Sequence, residues 1–209
     1  MILDLDTWPR RSHYAFFREQ AQPHFSLCAE VECTRLIEEL KPQGVSPFNA
    51  ILWSLMGAAN AVPELRTRFR GEVVEEHERV HPSVTVPLDE EGFGFCSFLF
   101  EPEWVRFEAR CREAVEAAKQ KQALEEDAEG DAWIYLSCLP WLSFTSMTHP
   151  TNGAEDCMPR ISWGRFARRG GTWSFPVSVQ VHHALVDGVH LGHLYAGIQE
   201  HLNSKELAP

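Results

Sequence analysis

Residues 180–188 read Gln-Val-His-His-Ala-Leu-Val-Asp-Gly and hold the strongest chemical signal of the chain. An alternating apolar run ends there in two histidines, His182 and His183, with Asp187 and Gly188 just beyond. A histidine at the end of a strand is fixed by the scaffold yet reaches a cleft, which is what a general base requires. Asp187 is spaced either to orient that ring or to cap a helix opening at Gly188.

Two other constellations could do metal chemistry. His77-Glu78-Arg79-Val80-His81 matches the H-E-x-x-H pattern of zinc hydrolases, whose histidines must share one helical face. Its context argues against a helix: Val73 and Val74 read as strand, Pro82 follows at once, and no apolar stripe surrounds the motif. His183, Asp187, His190 and His193 also have ligand-like spacing, but they fall on different elements. No metal is expected.

The elements that must position these groups follow from periodicity and punctuation. Ser12 reads as the cap of a short helix over 13–20. Residues 25–33 alternate like a half-buried strand, and Thr34 opens a helix to 40. Ser46-Pro47 is a stronger helix start, after which Phe48, Ile51, Leu52, Leu55, Met56 and Ala59 form an apolar face. A hairpin over 66–74 turns at Gly71, and strands are predicted at 83–87 and 93–100. A polar helix then runs from 102 to about 124, and an acidic loop covers 125–131. Further strands are predicted at 133–137, 142–146, 160–167 and 172–181, before a closing helix over 188–202. Without a regular βαβ rhythm, this is an α/β chain folded as a two-layer sandwich, a mixed β-sheet covered by helices.

A length of 209 residues and a hydrophobic content of 44% fit a single domain over 1–209. Nineteen Lys and Arg against 30 Asp and Glu give a formal charge of -11, which disfavours nucleic acid as a partner. A small phosphorylated ligand needs only a local cluster, for which Arg160, Arg165, Arg168 and Arg169 are candidates. No apolar run approaches the roughly 20 residues needed to span a bilayer, and the N-terminus has no secretory pattern. The six scattered cysteines contain no C-x-x-C pair and read as free thiols of a cytoplasmic protein.

Residues 180–188 resemble the H-H-x-x-x-D-G signature of the trimeric-type chloramphenicol acetyltransferases. Trp8-Pro9-Arg10-Arg11-Ser12-His13-Tyr14 resembles that family's N-terminal W-x-R-R/K-x-H-F. Pro63-Glu64-Leu65-Arg66 is similar to its P-E-F/L-R segment, and Leu139-Pro140-Trp141-Leu142-Ser143-Phe144 to its P-W-V-x-F strand. The four blocks keep the family's order over nearly the whole chain.

The resemblance implies a CoA-dependent acyltransferase-like fold and direct acetyl transfer from acetyl-CoA, as co-substrate, to a small hydroxylated acceptor. His183 would be the general base, its tautomer held partly by its own backbone carbonyl. Ser137 would be the oxyanion donor, and Arg10 with Asp187 would support the site. Trp141, and Arg165 and Phe166 on the basic aromatic strand Trp163-Gly164-Arg165-Phe166, fall where the family meets CoA. Phe17, Cys28 and Tyr135 fall in the acceptor pocket. Phe17 replaces a tyrosine of many antibiotic-modifying members, so acetyl transfer is better supported than chloramphenicol as acceptor. The family also implies a homotrimer whose active sites lie between subunits, with no nucleic acid and no membrane. Three alternatives are a dihydrolipoamide-type acyltransferase, which a lipoyl domain and linker would have marked, a non-catalytic binding protein, and a zinc protein using His77 and His81.

Overall fold

A computed structural model describes residues 1–88, 92–120 and 129–208. Among the described residues the α-helices are α1 (Arg11–Arg18), α2 (Pro47–Ala61), α3 (Trp104–Gln120) and α4 (Gly188–Asn203). The strands are β1 (His24–Glu32), β2 (Thr67–Arg70), β3 (Val73–Glu76), β4 (His81–Pro87), β5 (Phe93–Ser97), β6 (Trp133–Leu139), β7 (Arg160–Gly164), β8 (Ala167–Arg169) and β9 (Thr172–His182). Strands β2 and β3 form a separate hairpin; the rest join one sheet ordered β1-β9-β7-β6-β4-β5, with β8 also on β9. Pairs β7–β6 and β6–β4 are parallel, and β1–β9, β9–β7 and β4–β5 are antiparallel. The mixed sheet covered by helices is therefore as expected.

The sheet's two faces are chemically opposite. Ile134, Leu136, Ile161, Trp163, Phe175, Val177, Val179 and Val181 are buried on the side that α2, α3 and α4 cover. Helix α2 is buried all round from Asn49 to Met56, not on one face, because α3, α4 and β4 all pack against it. Its approach to α4 is close enough that a Cβ on Gly57 would lie 2.6 Å from the His201 ring. On the other side, register aligns Ser137, Ser162, Ser178 and Cys28 in one row, and Tyr135, Arg160, Gln180 and Ser26 in the next.

Several expectations are corrected. Helix α1 begins at Arg11, so Ser12 lies inside it and Arg10 occupies the cap position without a side-chain bond to the helix's N–H groups. The helix at 34–40 is wound as a π-turn over Leu36–Leu40 and continues as a 3-10 turn, Lys41–Gln43. The strand over 160–167 is two strands: the three residues between Trp163 and Ala167 oppose the two between Val177 and Ser174, a bulge next to Pro176.

The strand at 142–146 does not form. This segment begins a long excursion over the polar face, and sheet side chains satisfy much of its backbone in place of a ladder. Cys28 donates to Phe144 O, Ser178 donates to Met147 O (3.3 Å), and Gln180 bonds both the N–H and the C=O of His149. The segment lies so close to β7 that a Cβ on Gly164 would sit 2.6 Å from Leu142 O. The expected helix end at 121–124 and the acidic residues 125–128 lie outside the described residues.

Candidate active site

His183 follows the last residue of β9 in a turn organised by His182. The N–H groups of Leu185 and Val186 both donate to His182 O at 3.1 Å, and His183 N donates to Pro23 O. Phe17 stacks on the His183 ring with centroids 3.8 Å apart, and Phe25 tilts against it at 4.6 Å. His183 Nδ1 is 3.1 Å from Val186 O. A carbonyl can only accept, so Nδ1 carries a proton, and in the neutral ring the lone pair is on Nε2. The bracing carbonyl is thus that of Val186, not of His183 itself, because the turn folds Val186 back toward the strand end.

Asp187 opens α4 as its cap, accepting from Val189 N at 3.2 Å, while its own N–H donates to His190 Nδ1 at 3.0 Å. Its other oxygen accepts from Arg10 at 2.7 Å, and the imidazole of His183 is not among its partners. His190 Nε2 lies 3.4 Å from Glu64. Burial would raise the Asp187 carboxyl, but the Arg10 hydrogen bond and the charges of His190 and Arg10 hold it below the usual range.

Ser137 lies on β6, its hydroxyl 3.1 Å from that of Thr85. It borders a cavity of about 420 Å³ whose wall includes Phe93, Phe95, Tyr135, His149, Asn152 and Arg160. Burial, with the nearby Arg160 charge, lowers the pKa of His149, whose Nε2 is 3.0 Å from the Ser162 hydroxyl. Arg160 lies over the Tyr135 ring at 5.6 Å and is held by the Asp156 carboxylate. Arg160 is therefore not part of an exposed basic cluster with Arg165, Arg168 and Arg169; β7 turns it into the polar face, where it is 7% exposed.

Of the three residues expected in the acceptor pocket, Tyr135 borders this cavity. Phe17 lies against His183, and Cys28 sits three strands from Ser137, roughly 14 Å away. His183 and Ser137 are also far apart within one chain. Two strand spacings and the five residues from Ser178 to His183 separate them by roughly 19 Å.

Trp141 and Arg165 are both exposed, and the Arg165 N–H donates to the carbonyl of Leu142, the residue after Trp141, at 2.7 Å. Phe166 is half-buried against Phe175. Trp163 faces the core beside Phe48, and β7 ends at Gly164, so the strand geometry that buries Trp163 does not extend to Arg165. The H-E-x-x-H segment is not helical: His77 bonds Asp131, while His81 starts β4 and accepts from Phe100 N. Both rings are occupied by different partners, which removes the zinc reading. The metal-like spacing of His183, Asp187, His190 and His193 likewise resolves into a stack, a cap and an exposed His193.

A family model described as chloramphenicol acetyltransferase matches residues 1–199. Chloramphenicol acetyltransferase 2 of Escherichia coli is 31% identical over 192 residues, 90% of each chain. The chain belongs to the chloramphenicol acetyltransferase family. A solved chloramphenicol acetyltransferase matches with a TM-score of 0.91 at 28% identity, covering 97% of this chain and 99% of that one. The dihydrolipoamide acetyltransferase of Azotobacter vinelandii matches at 0.69 and 16% identity, covering 91% and 85%, a likeness of fold alone.

The chloramphenicol acetyltransferase family is one of acyltransferases, and the four blocks that carry the resemblance have a spatial logic in this chain. Three of them meet at the start of α4, where Arg10 and Glu64 hold Asp187 and His190. The fourth follows Ser137 out of β6 on the other side of the sheet. Sequence reasoning missed Thr85, His149, Arg160's place in the cavity and the partners of His182. Alternation along β4, β7 and β9 puts Thr85, Arg160 and His182 on the polar face, and it was the signal available.

Proposed function

We propose that the protein moves acetyl directly from acetyl-CoA to a hydroxyl of a small acceptor, chloramphenicol or a related molecule. The carrying observation is the His183 Nδ1–Val186 O bond, which leaves Nε2 as the basic nitrogen beside a fixed aromatic stack. Nε2 takes the acceptor's hydroxyl proton as that oxygen bonds to the thioester carbonyl carbon. The C–S bond then breaks, and the proton passes to the departing thiolate, releasing CoA thiol. A hydroxyl aimed at the developing oxyanion is worth about 2.7–4 kcal/mol, the role assigned to Ser137.

The proposed assembly is a homotrimer, with His183 of one copy facing Ser137 and the Tyr135 cavity of the next. The separation of roughly 19 Å within a chain supports this, since one transition state cannot span it. Arg10 and Asp187 brace the base-bearing turn from below. For CoA, the exposed Arg165 guanidinium suits a phosphate and the exposed Trp141 indole suits the adenine or pantetheine arm. The half-buried Phe166 would contribute only through the strand it anchors. A cytoplasmic location fits a reaction that consumes acetyl-CoA.

A thiol-release assay with acetyl-CoA across a panel of hydroxylated acceptors, chloramphenicol among them, tests the reading. Thiol release that depends on an acceptor is expected. Release with none of the panel overturns the reaction, and release with acceptors other than chloramphenicol corrects the substrate.

A further inference from the structure

The first histidine of the pair has its own geometry. His182 is 1% exposed, and its ring points to the polar face, opposite to that of His183, as alternation requires. Its Nδ1 accepts from Ala184 N at 3.1 Å, so Nδ1 is unprotonated. Its Nε2–H therefore donates to Ala154 O at 2.8 Å. One neutral ring thus joins two parts of the proposed reaction site.

On one side, the N–H groups of Ala184, Leu185 and Val186 all end on His182, and the Val186 carbonyl in turn holds the His183 ring. On the other, Ala154 belongs to the loop that walls the cavity. Asp156, two residues on, accepts from Asn152 N and Met158 N and grips Arg160. His24, paired with His182 across β1 and β9, makes a parallel clasp to Asp156 O.

We propose that His182 is a positioning residue with two separable tasks: its Nδ1 sets the direction of the His183 base, and its Nε2 sets the acceptor cavity. Resting as it does on the proposed acetyl transfer between subunits, this places the two tasks of one ring in two different active sites of the trimer.

Two substitutions separate the tasks, because the amide of Asn overlays Nδ1 and that of Gln overlays Nε2. In His182→Asn the Ala184 bond survives and the loop clasp is lost, leaving His24 to hold the loop. Acceptor KM rises about tenfold, with kcat within about threefold of wild type. In His182→Gln the clasp survives and Ala184 N is left buried without an acceptor, so kcat falls about tenfold or more while acceptor KM stays within about threefold. Kinetic constants measured with the acceptor that turns over in the thiol-release assay decide it. Parallel changes in kcat and KM in both variants, or no change in either, overturn the proposal. Should His182→Gln fail to fold, a loss of kcat in His182→Asn as large as its rise in KM overturns it alone. A wild-type protein inactive with all acceptors refutes the underlying reaction instead, a separate outcome.

Discussion

Strand β9 serves two surfaces with alternate residues, and both are buried. Phe175, Val177, Val179 and Val181 pack under the helices, while Ser178, Gln180 and His182 meet the loop over 140–159. Burial therefore does not distinguish the faces; direction does. Apolar contacts tolerate exchange for shapes of similar volume. Each hydrogen bond on the polar face fixes one loop atom, and losing it strands a buried donor or acceptor. The helix side stabilises the scaffold, and the polar side gives the scaffold something to hold in place.

Variants on the two sides should break different properties. His183→Ala is expected to lower kcat by about 10²–10⁴, with a melting temperature within about 4 °C of wild type. Steady-state assay and calorimetry check both, and an active variant would sink the mechanism. Ile161→Ala, on the helix side of β7, should do the reverse. It costs about 2–5 kcal/mol in denaturant unfolding, while kcat of the folded protein stays within about twofold of wild type.

Asp187→Asn falls between the two. Asparagine still caps α4, but the Arg10 guanidinium loses its counter-charge, at a cost of about 2 kcal/mol, and activity drops with it. Unchanged melting in that variant would argue against bracing by the pair.

The smallest effect is in acid. Burial pushes the His182 pKa down to about 4, against about 6.5 in the unfolded chain. Below about pH 6.5 the unfolded state then binds the extra proton, so this stabilisation is complete above that pH and is lost as pH falls toward 4. Melting curves between pH 7 and 4 should fall less steeply for His182→Asn than for wild type. Equal slopes would show that the ring is not held neutral.

The helix side was the more legible in sequence, for a physical reason. Leu52, Leu55 and Met56, and the valines of β9, repeat at the period of their element, and apolar burial needs nothing else to be read. The Ser46 cap also follows from local chemistry, with its hydroxyl accepting from Asn49 N. Leu142 and Phe144 alternate like a strand too, yet they cross the sheet's face, because the carbonyls of Phe144, Met147 and His149 are held by side chains 31 or more positions away. Periodicity carries no information about such partners. The same holds for Arg160, whose fate was decided by Asp156 and not by the arginines that follow it. His183 could be singled out by spacing, but the carbonyl that orients it belongs to a turn whose shape depends on His182.

The 140–159 excursion is pinned at both ends. Near its start, the close passage of Leu142 over Gly164 leaves no room for a side chain, and near its end Asp156 clamps Arg160. The cavity residues Met147, His149, Pro150 and Asn152 lie between those pins. In evolutionary terms that makes the stretch a replaceable cassette. Under the proposed roles, its wall can be rewritten for a new acceptor while the turn carrying His183 is inherited intact, so divergence in what is acylated can outpace divergence in how.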